Sequence, residues 1–264
     1  MFNRAEENSY IGLGDGSVFC YSRMQRLKAN AAGEYLPDHD PHFYGWALAQ
    51  VRRWNGNVPI SVAEHAVMVS KVAAILATER LFDGSTTNGK LVHASAYFGL
   101  HHDDHEAVFS DVPRPVKRMF TAIKEAEDKV EAVFLRENKR IYGHDLTDTQ
   151  MKVVANIVKE ADNEVNMWEG RSFLPRYVSK FKSSLPTEVL NALRPRAYAF
   201  DDQYINRHTR LVAESKTMNI STTKAQYNKI LLAVKTLSVP EVTYTYSNEH
   251  ALPPTNWIGN PNAA

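Results

Sequence analysis

The sequence predicts an all-α protein with a short N-terminal β-hairpin and an irregular C-terminal tail. Apolar residues recur at three- and four-residue intervals through most of the chain between 43 and 237, the period of amphipathic helices. Before that stretch, Tyr10 to Tyr21 alternates and carries Gly12, Gly14 and Gly16, with Asp15-Gly16 as a turn signal. After Lys235 there is no Lys or Arg, and Pro, Asn and Ala dominate around Tyr244, Tyr246 and Trp257. The chain therefore divides into a hairpin and loop (1–42), a helical body (43–237) and a tail (238–264) that docks on the body or on a second subunit.

The hairpin glycines fit neither the dinucleotide fingerprint nor the P-loop spacing, so a phosphate-binding loop is the weaker reading. Residues 28–42 hold Gly33, Pro37, Asp38, Asp40 and Pro41 and read as a loop. A helix is expected from Phe43 to Trp54, with Phe43, Trp46 and Ala47 inward and Arg52-Arg53 near its C-terminal dipole. Ser61 and Glu64 have the spacing of a capping box that opens the next helix, to about Leu76. Leu91 to about Phe109 reads as one helix, ended by Pro113 and Pro115. Phe120 to Arg140 is amphipathic, with Val130 and Phe134 on its apolar stripe. Thr147 or Asp148 caps a helix through about Trp168, and shorter helices are expected at 187–193, 203–216 and 223–237.

Composition narrows the function. The chain has 264 residues, 44% of them apolar, enough for a sizeable core. Lys and Arg total 31 against 30 Asp and Glu, a net charge of +1, so no global field favours a nucleic-acid polymer or an anionic membrane. Apolar runs stop short of the ~20 residues of a membrane span, and Met-Phe-Asn-Arg-Ala-Glu-Glu lacks the core of a signal peptide. A cytoplasmic location is expected. With Cys20 as the sole cysteine, any metal must be held by His and carboxylates.

Three predicted helices each turn a polar side chain inward. His65 is followed by Met68, Val69 and Val72 on one face; Asp162 falls between Val158 and Val165 on a buried stripe; His102-Asp103 lies in the crowded run His-His-Asp-Asp-His-Glu from 101 to 106. Singly, each has an ordinary reading: a hydrogen-bonded core histidine, or a solvated loop. Together they suit one divalent cation, since two imidazoles and two carboxylates match a transition metal such as Mn, Co, Fe, Ni or Zn and leave coordination sites for water and a phosphate oxygen.

The order His65, His102-Asp103, Asp162 resembles the HD-domain metal-dependent phosphohydrolases, an all-α superfamily. It is similar in particular to the 5′-deoxynucleotidases and to phage HD-type deoxynucleotide (dATP) phosphohydrolases. Their Ser-x-x-Glu-His segment matches Ser61 to His65, and their Lys-x-Ala-Asp matches Lys159 to Asp162. Their longest motif matches His102, Asp103, Glu106, Asp111, Pro113, Pro115 and Lys117 at fixed spacing. The resemblance implies that Glu106 orients or deprotonates the attacking water, that Asp111 assists proton transfer to the leaving oxygen, and that Arg53 and Trp54 contact phosphate and sugar. Lys117 either faces the phosphate or is a solvated surface lysine. It also implies a homo-oligomer, and host cytoplasm as the setting for a phage-encoded chain. His101, Asp104 and His105 fall outside the motif and read as supporting or exposed residues, and His93 as a core histidine.

The expected activity is hydrolysis of a deoxynucleoside 5′-phosphate, with water attacking the α-phosphorus. The alternatives are a triphosphohydrolase releasing triphosphate by the same attack, and, in another class, a non-catalytic nucleotide sensor clamped by its metal. Hydrolysis of cyclic or signalling nucleotides agrees less well with the Asp-x-Pro-x-Pro segment.

Overall fold

A computed structural model describes residues 10–13, 16–23, 25–32, 35–37, 40–81, 86–143, 146–174, 185–194 and 200–216. Helices dominate, as the periodicity predicts. The expected helix at 223–237 and the tail lie outside the described residues.

The N-terminal element is larger than a hairpin. Strands β1 (Tyr10–Gly12), β2 (Val18–Cys20), β3 (Gln25–Ala29) and β4 (Tyr35–Pro37) form an antiparallel meander in sequence order, with Phe19 opposite both Ile11 and Arg26. The residues expected to be loop from 28 on thus supply part of β3 and all of β4. Phe19 stacks on Phe134, and Tyr21 Oη donates to the Val108 carbonyl at 2.9 Å, fixing the sheet to the helical body. Arg26 is buried because its guanidinium lies 4.4 Å from the centre of the Phe43 ring and its Nε donates to Ser17 Oγ.

Helix α1 (Pro41–Gln50) starts under the Asp40 cap, which accepts from the His42 N–H, with Pro41 in its first turn. It stops short of the expected Trp54. Val51 and Arg52 are extended, and Arg52 pairs with Ser61. Trp46, expected inward, is exposed.

Helix α2 (Val62–Leu81) is buried on nearly every face from Val62 to Thr78, and α3 (Thr86–Leu100), α7 (Asp148–Phe173) and α9 (Phe200–Lys216) all pack against it. An Ala- and Val-rich helix with no polar face has to be central. Only one half of the predicted capping box forms. The Glu64 N–H donates to Ser61 Oγ, while the Glu64 carboxylate turns to Arg194, whose Nε lies 2.7 Å away.

Chain order after α3 departs from the single helix expected to Phe109. Helix α3 ends at Leu100, residues 101–105 form turns, and a short α4 (Glu106–Phe109) stops at Ser110, which has φ 70°. Pro113 and Pro115 therefore do not terminate the preceding helix; they open α5 (Arg114–Met119), where a missing N–H costs nothing. Then come α6 (Thr121–Asn138), a π-turn at Lys139–Gly143, α7 with a full Thr147/Gln150 capping box, and α8 (Thr187–Leu193). No helix among the described residues is long and apolar enough to cross a membrane.

Gly99 sets the approach of α3 to α2. A Cβ there would meet Ser70 Cα at 3.1 Å and Ala73 Cβ at 3.2 Å, atoms of a rigid buried helix. Gly99→Ala gains about 1 kcal/mol of helix propensity but must push two packed helices apart, at a cost of roughly 1–3 kcal/mol. Net destabilisation is expected in a denaturant titration. A second prediction concerns Lys71 on α2, whose ammonium donates to the Leu193 carbonyl at 2.9 Å. Burial, helped by Arg207, pushes it down from 10.5 to about 8. Between those values the unfolded chain binds the proton that the folded chain has released, so this group adds stability as pH rises through the window. Urea titrations should accordingly show the parent gaining on Lys71→Met between pH 8 and pH 10.5; a pH-independent difference would contradict the assignment.

Candidate metal centre

Four side chains from three places in the chain converge on one point. His65 comes from the first turns of α2, His102 and Asp103 from the turns after α3, and Asp162 from the middle of α7. His65 Nε2 lies 3.1 Å from Asp162 Oδ1 and 3.8 Å from Asp103 Oδ2. His102 Nε2 lies 3.1 Å from Asp103 Oδ2 and 3.8 Å from Asp162 Oδ1.

Hydrogen bonds on the far side of each ring fix which nitrogen faces this point. The Gly99 carbonyl can only accept, so His102 Nδ1, 3.0 Å from it, carries a proton. The Glu169 carboxylate, 2.7 Å from His65 Nδ1, does the same for His65. In the neutral rings both Nε2 atoms then present lone pairs, and His102 Nε2 is buried without a hydrogen-bond partner. Lone pairs of two imidazoles facing carboxylate oxygens at these distances repel unless positive charge lies between them. The donor set suits a divalent transition metal, and a histidine that donates its other N–H to a carboxylate or carbonyl is the usual outer support of such a ligand.

Electrostatics agree. Burial disfavours the His102 cation, yet Asp103 and Asp162 outweigh it and raise the imidazole well above its ordinary value. Burial and Arg53 act the same way on His65, and there Glu169 and Asp162 prevail. The carboxyl of Asp162, pushed up by burial, is pulled well below the usual range by the neighbouring His102 and His65 rings. A field that favours protons on both rings favours a divalent cation between them.

Arg53 does not lie at the end of α1 but opens a short 3-10 turn. It sits in a tight connection held by Arg53 N–H to Ile60 O and Val62 N–H to Val51 O, and the residue is 8% exposed. Its guanidinium reaches Asp103 at 3.5 Å, Glu169 at 3.6 Å and Asp111 at 4.0 Å, and donates to Asn166. Trp54 and Asn55 follow with φ 55° and 54°, a left-handed geometry that costs a non-glycine residue roughly 1–2 kcal/mol. Two bonds hold Trp54 there: its N–H donates to Asp111 Oδ2 at 3.1 Å and its indole Nε1 to Glu169 Oε2 at 2.8 Å.

Glu106 does not share a helix with Asp103; it opens α4, one hydrogen-bonded turn later, with Glu106 N–H to Asp103 O at 2.9 Å. Burial and the Asp103 charge raise its carboxyl well above the usual range, and its Oε2 is buried without a partner. Lys117 lines the cavity and is paired with the buried Glu127, so it is not a solvated surface lysine. His101, Asp104 and His105 are all buried. Asp104 accepts from Tyr204 and Asn138 and lies against His101, which bolts the 101–105 turns to α6 and α9. His93 contacts Tyr142 and Glu214 away from the cluster.

A cavity of about 850 Å³ opens from His102, Asp103 and Asp162 between α6 and α7. Its near end carries Glu106, Arg114 and Lys117, and its walls include Phe134, Met151 and Val154.

Glu169 and Asn166 were not legible as site residues. Both sit on the Asp162 face of α7, one and two turns further on, and that repeated polar position on a buried stripe was the available signal. Glu169→Gln keeps the shape but loses the carboxylate that orients His65 and offsets Arg53. A 10–100-fold loss of metal affinity is expected, read by titrating the apo-protein with Mn²⁺ or Co²⁺.

No curated protein matches the chain. Residues 43–167, which span all four converging side chains, match the 5′-deoxynucleotidase YfbR-like family. The motifs read from the sequence, the helical fold and this match cover the same stretch, and all three liken residues 43–167 to the HD-type 5′-deoxynucleotidases.

Proposed function

We propose that the protein hydrolyses deoxynucleoside 5′-phosphates, with water attacking the α-phosphorus and the deoxynucleoside leaving. The observation that carries this reading is the convergence of His65, His102, Asp103 and Asp162, with a buried His102 Nε2 lacking any hydrogen-bond partner, at the head of a cavity large enough for a nucleotide. When bound there, a divalent cation lowers the pKa of water and polarises phosphoryl oxygens.

The chain's own groups supply the rest. Arg53, held by Asn166 and Glu169, brings fixed positive charge beside Asp103, where a phosphate would bind. Glu106, buried at the near end of the cavity, takes the proton of the attacking water. Asp111, held by the Trp54 N–H and near Arg53, assists the leaving oxygen, while Trp54 packs beside the sugar. Lys117 acts through Glu127, setting the charge of the cavity wall. Phe134, Met151 and Val154 offer the base an apolar wall.

One observation favours the triphosphate reading. Arg114, Arg118 and Lys159 line the same cavity, interspersed with Glu125 and Glu131, and these cations suit a phosphate chain longer than a monophosphate. A panel of deoxynucleoside mono-, di- and triphosphates with Mn²⁺ or Co²⁺, read for phosphate and triphosphate together, separates the two. Turnover of none of them by metal-loaded protein would sink the hydrolase. Glu106→Gln should lower kcat by roughly 10²–10⁴-fold. Asp103→Ala should abolish turnover while the folded circular dichroism persists, whereas a metal-clamped sensor would unfold on that change and show no turnover in the parent.

A further inference from the structure

We propose that the centre holds a second divalent cation, on Asp103, His105 and Glu106. The inference rests on the cation site proposed above, which would share Asp103 with it. One ring nitrogen of His105 and one carboxylate oxygen each from Asp103 and Glu106 lie within 4.8 Å of one another.

Acidic clusters are common without ions, but two features here point to a ligand. His105 Nδ1 and Glu106 Oε2 are both buried without a hydrogen-bond partner, on residues 5% and 4% exposed. Both residues line the same cavity as His102 and Asp103. An orphaned buried imidazole nitrogen or carboxylate oxygen costs roughly 1–3 kcal/mol or more, and two within one cluster share one remedy.

The His105 ring is also prepared as a ligand. Its Nε2 lies 3.4 Å from Glu127 Oε1, so the N–H sits on that nitrogen and the lone pair on Nδ1. This is the arrangement already seen for His65 with Glu169 and for His102 with the Gly99 carbonyl, an acceptor on one ring nitrogen and an open lone pair on the other. It gives Glu127 a purpose: a carboxylate on the buried stripe of α6, held by Lys117 and aimed at His105.

Charge points the same way. Asp103, Asp111, Asp162 and Glu169 outnumber Arg53 and Arg114, the guanidinium groups that reach this cluster. One divalent ion balances those charges, and a bound phosphate dianion then brings further negative charge into the cluster. A second cation beside Glu106 lets the substrate's phosphate enter a site with matching charge.

The test is metal stoichiometry on the full chain, loaded with saturating Mn²⁺, freed of excess ion and measured by elemental analysis and by electron paramagnetic resonance. Two Mn²⁺ per chain with a spin-coupled signal are expected, falling to one uncoupled Mn²⁺ in His105→Gln. Glu127→Gln, which leaves the ligands intact, should weaken the second ion about 10–100-fold and not the first, and it serves if His105→Gln fails to fold. One Mn²⁺ per chain in the parent, or two coupled ions retained in both variants, overturns the proposal. Deoxynucleotide hydrolysis with a single ion would overturn the second site and leave the phosphohydrolase reading standing. Two coupled ions without hydrolysis would support the site and remove that reading.

Discussion

A single buried carboxylate holds the site in register. Glu169 accepts from His65 and from the Trp54 indole and balances Arg53, so one side chain on α7 fixes a residue of α2 and two residues of the connection that precedes α2. A fully buried carboxylate is costly unless compensated. Burial pushes Glu169 up, but His65 and Arg53 outweigh it and hold it below its ordinary range. The compensation is mutual. Arg53 is buried only because carboxylates surround it, and the strained Trp54 backbone persists only because Asp111 and Glu169 both grip that residue.

The remaining precision comes from packing. The turns that carry His102 and Asp103 emerge from the end of α3, where Gly99 lets that helix approach α2, and the Gly99 carbonyl itself orients His102. From the other side, Asp104 bonds to Tyr204 and Asn138, anchoring the same turns to α9 and α6. Two ligands on a short non-helical segment are thus clamped from both faces by neighbouring residues that are not ligands. That division of labour explains why His101 and Asp104, outside the metal motif, are as buried as the core.

The sequence made the helices and the converging ligands legible, because both are written in spacing. Apolar residues every three or four positions mark the helices, and His65 and Asp162 were conspicuous as polar residues on apolar stripes. What spacing could not show was where helices break. Val51 leaves α1 early because Arg52 pairs with Ser61, and α3 stops at Leu100 because residues 101–105 satisfy their polar groups through Tyr204, Asn138 and Glu127, partners distant in sequence. The burial of Arg53 has the same cause: a guanidinium followed by tryptophan at an expected helix end reads as solvated until the carboxylates around it are known. Strands β3 and β4 were hidden by Gly33 and Pro37, which signal a loop. Pro37 nevertheless pairs with Leu27, at the edge of the sheet where a missing N–H is tolerated.

The central claim is that His65, His102, Asp103 and Asp162 bind one cation between them, and an anomalous diffraction map from crystals grown with Co²⁺ tests it directly. The account predicts a strong peak bonded to both Nε2 atoms and to a carboxylate oxygen of each aspartate. An empty point among those four side chains, with cobalt at full occupancy elsewhere or nowhere, would contradict it.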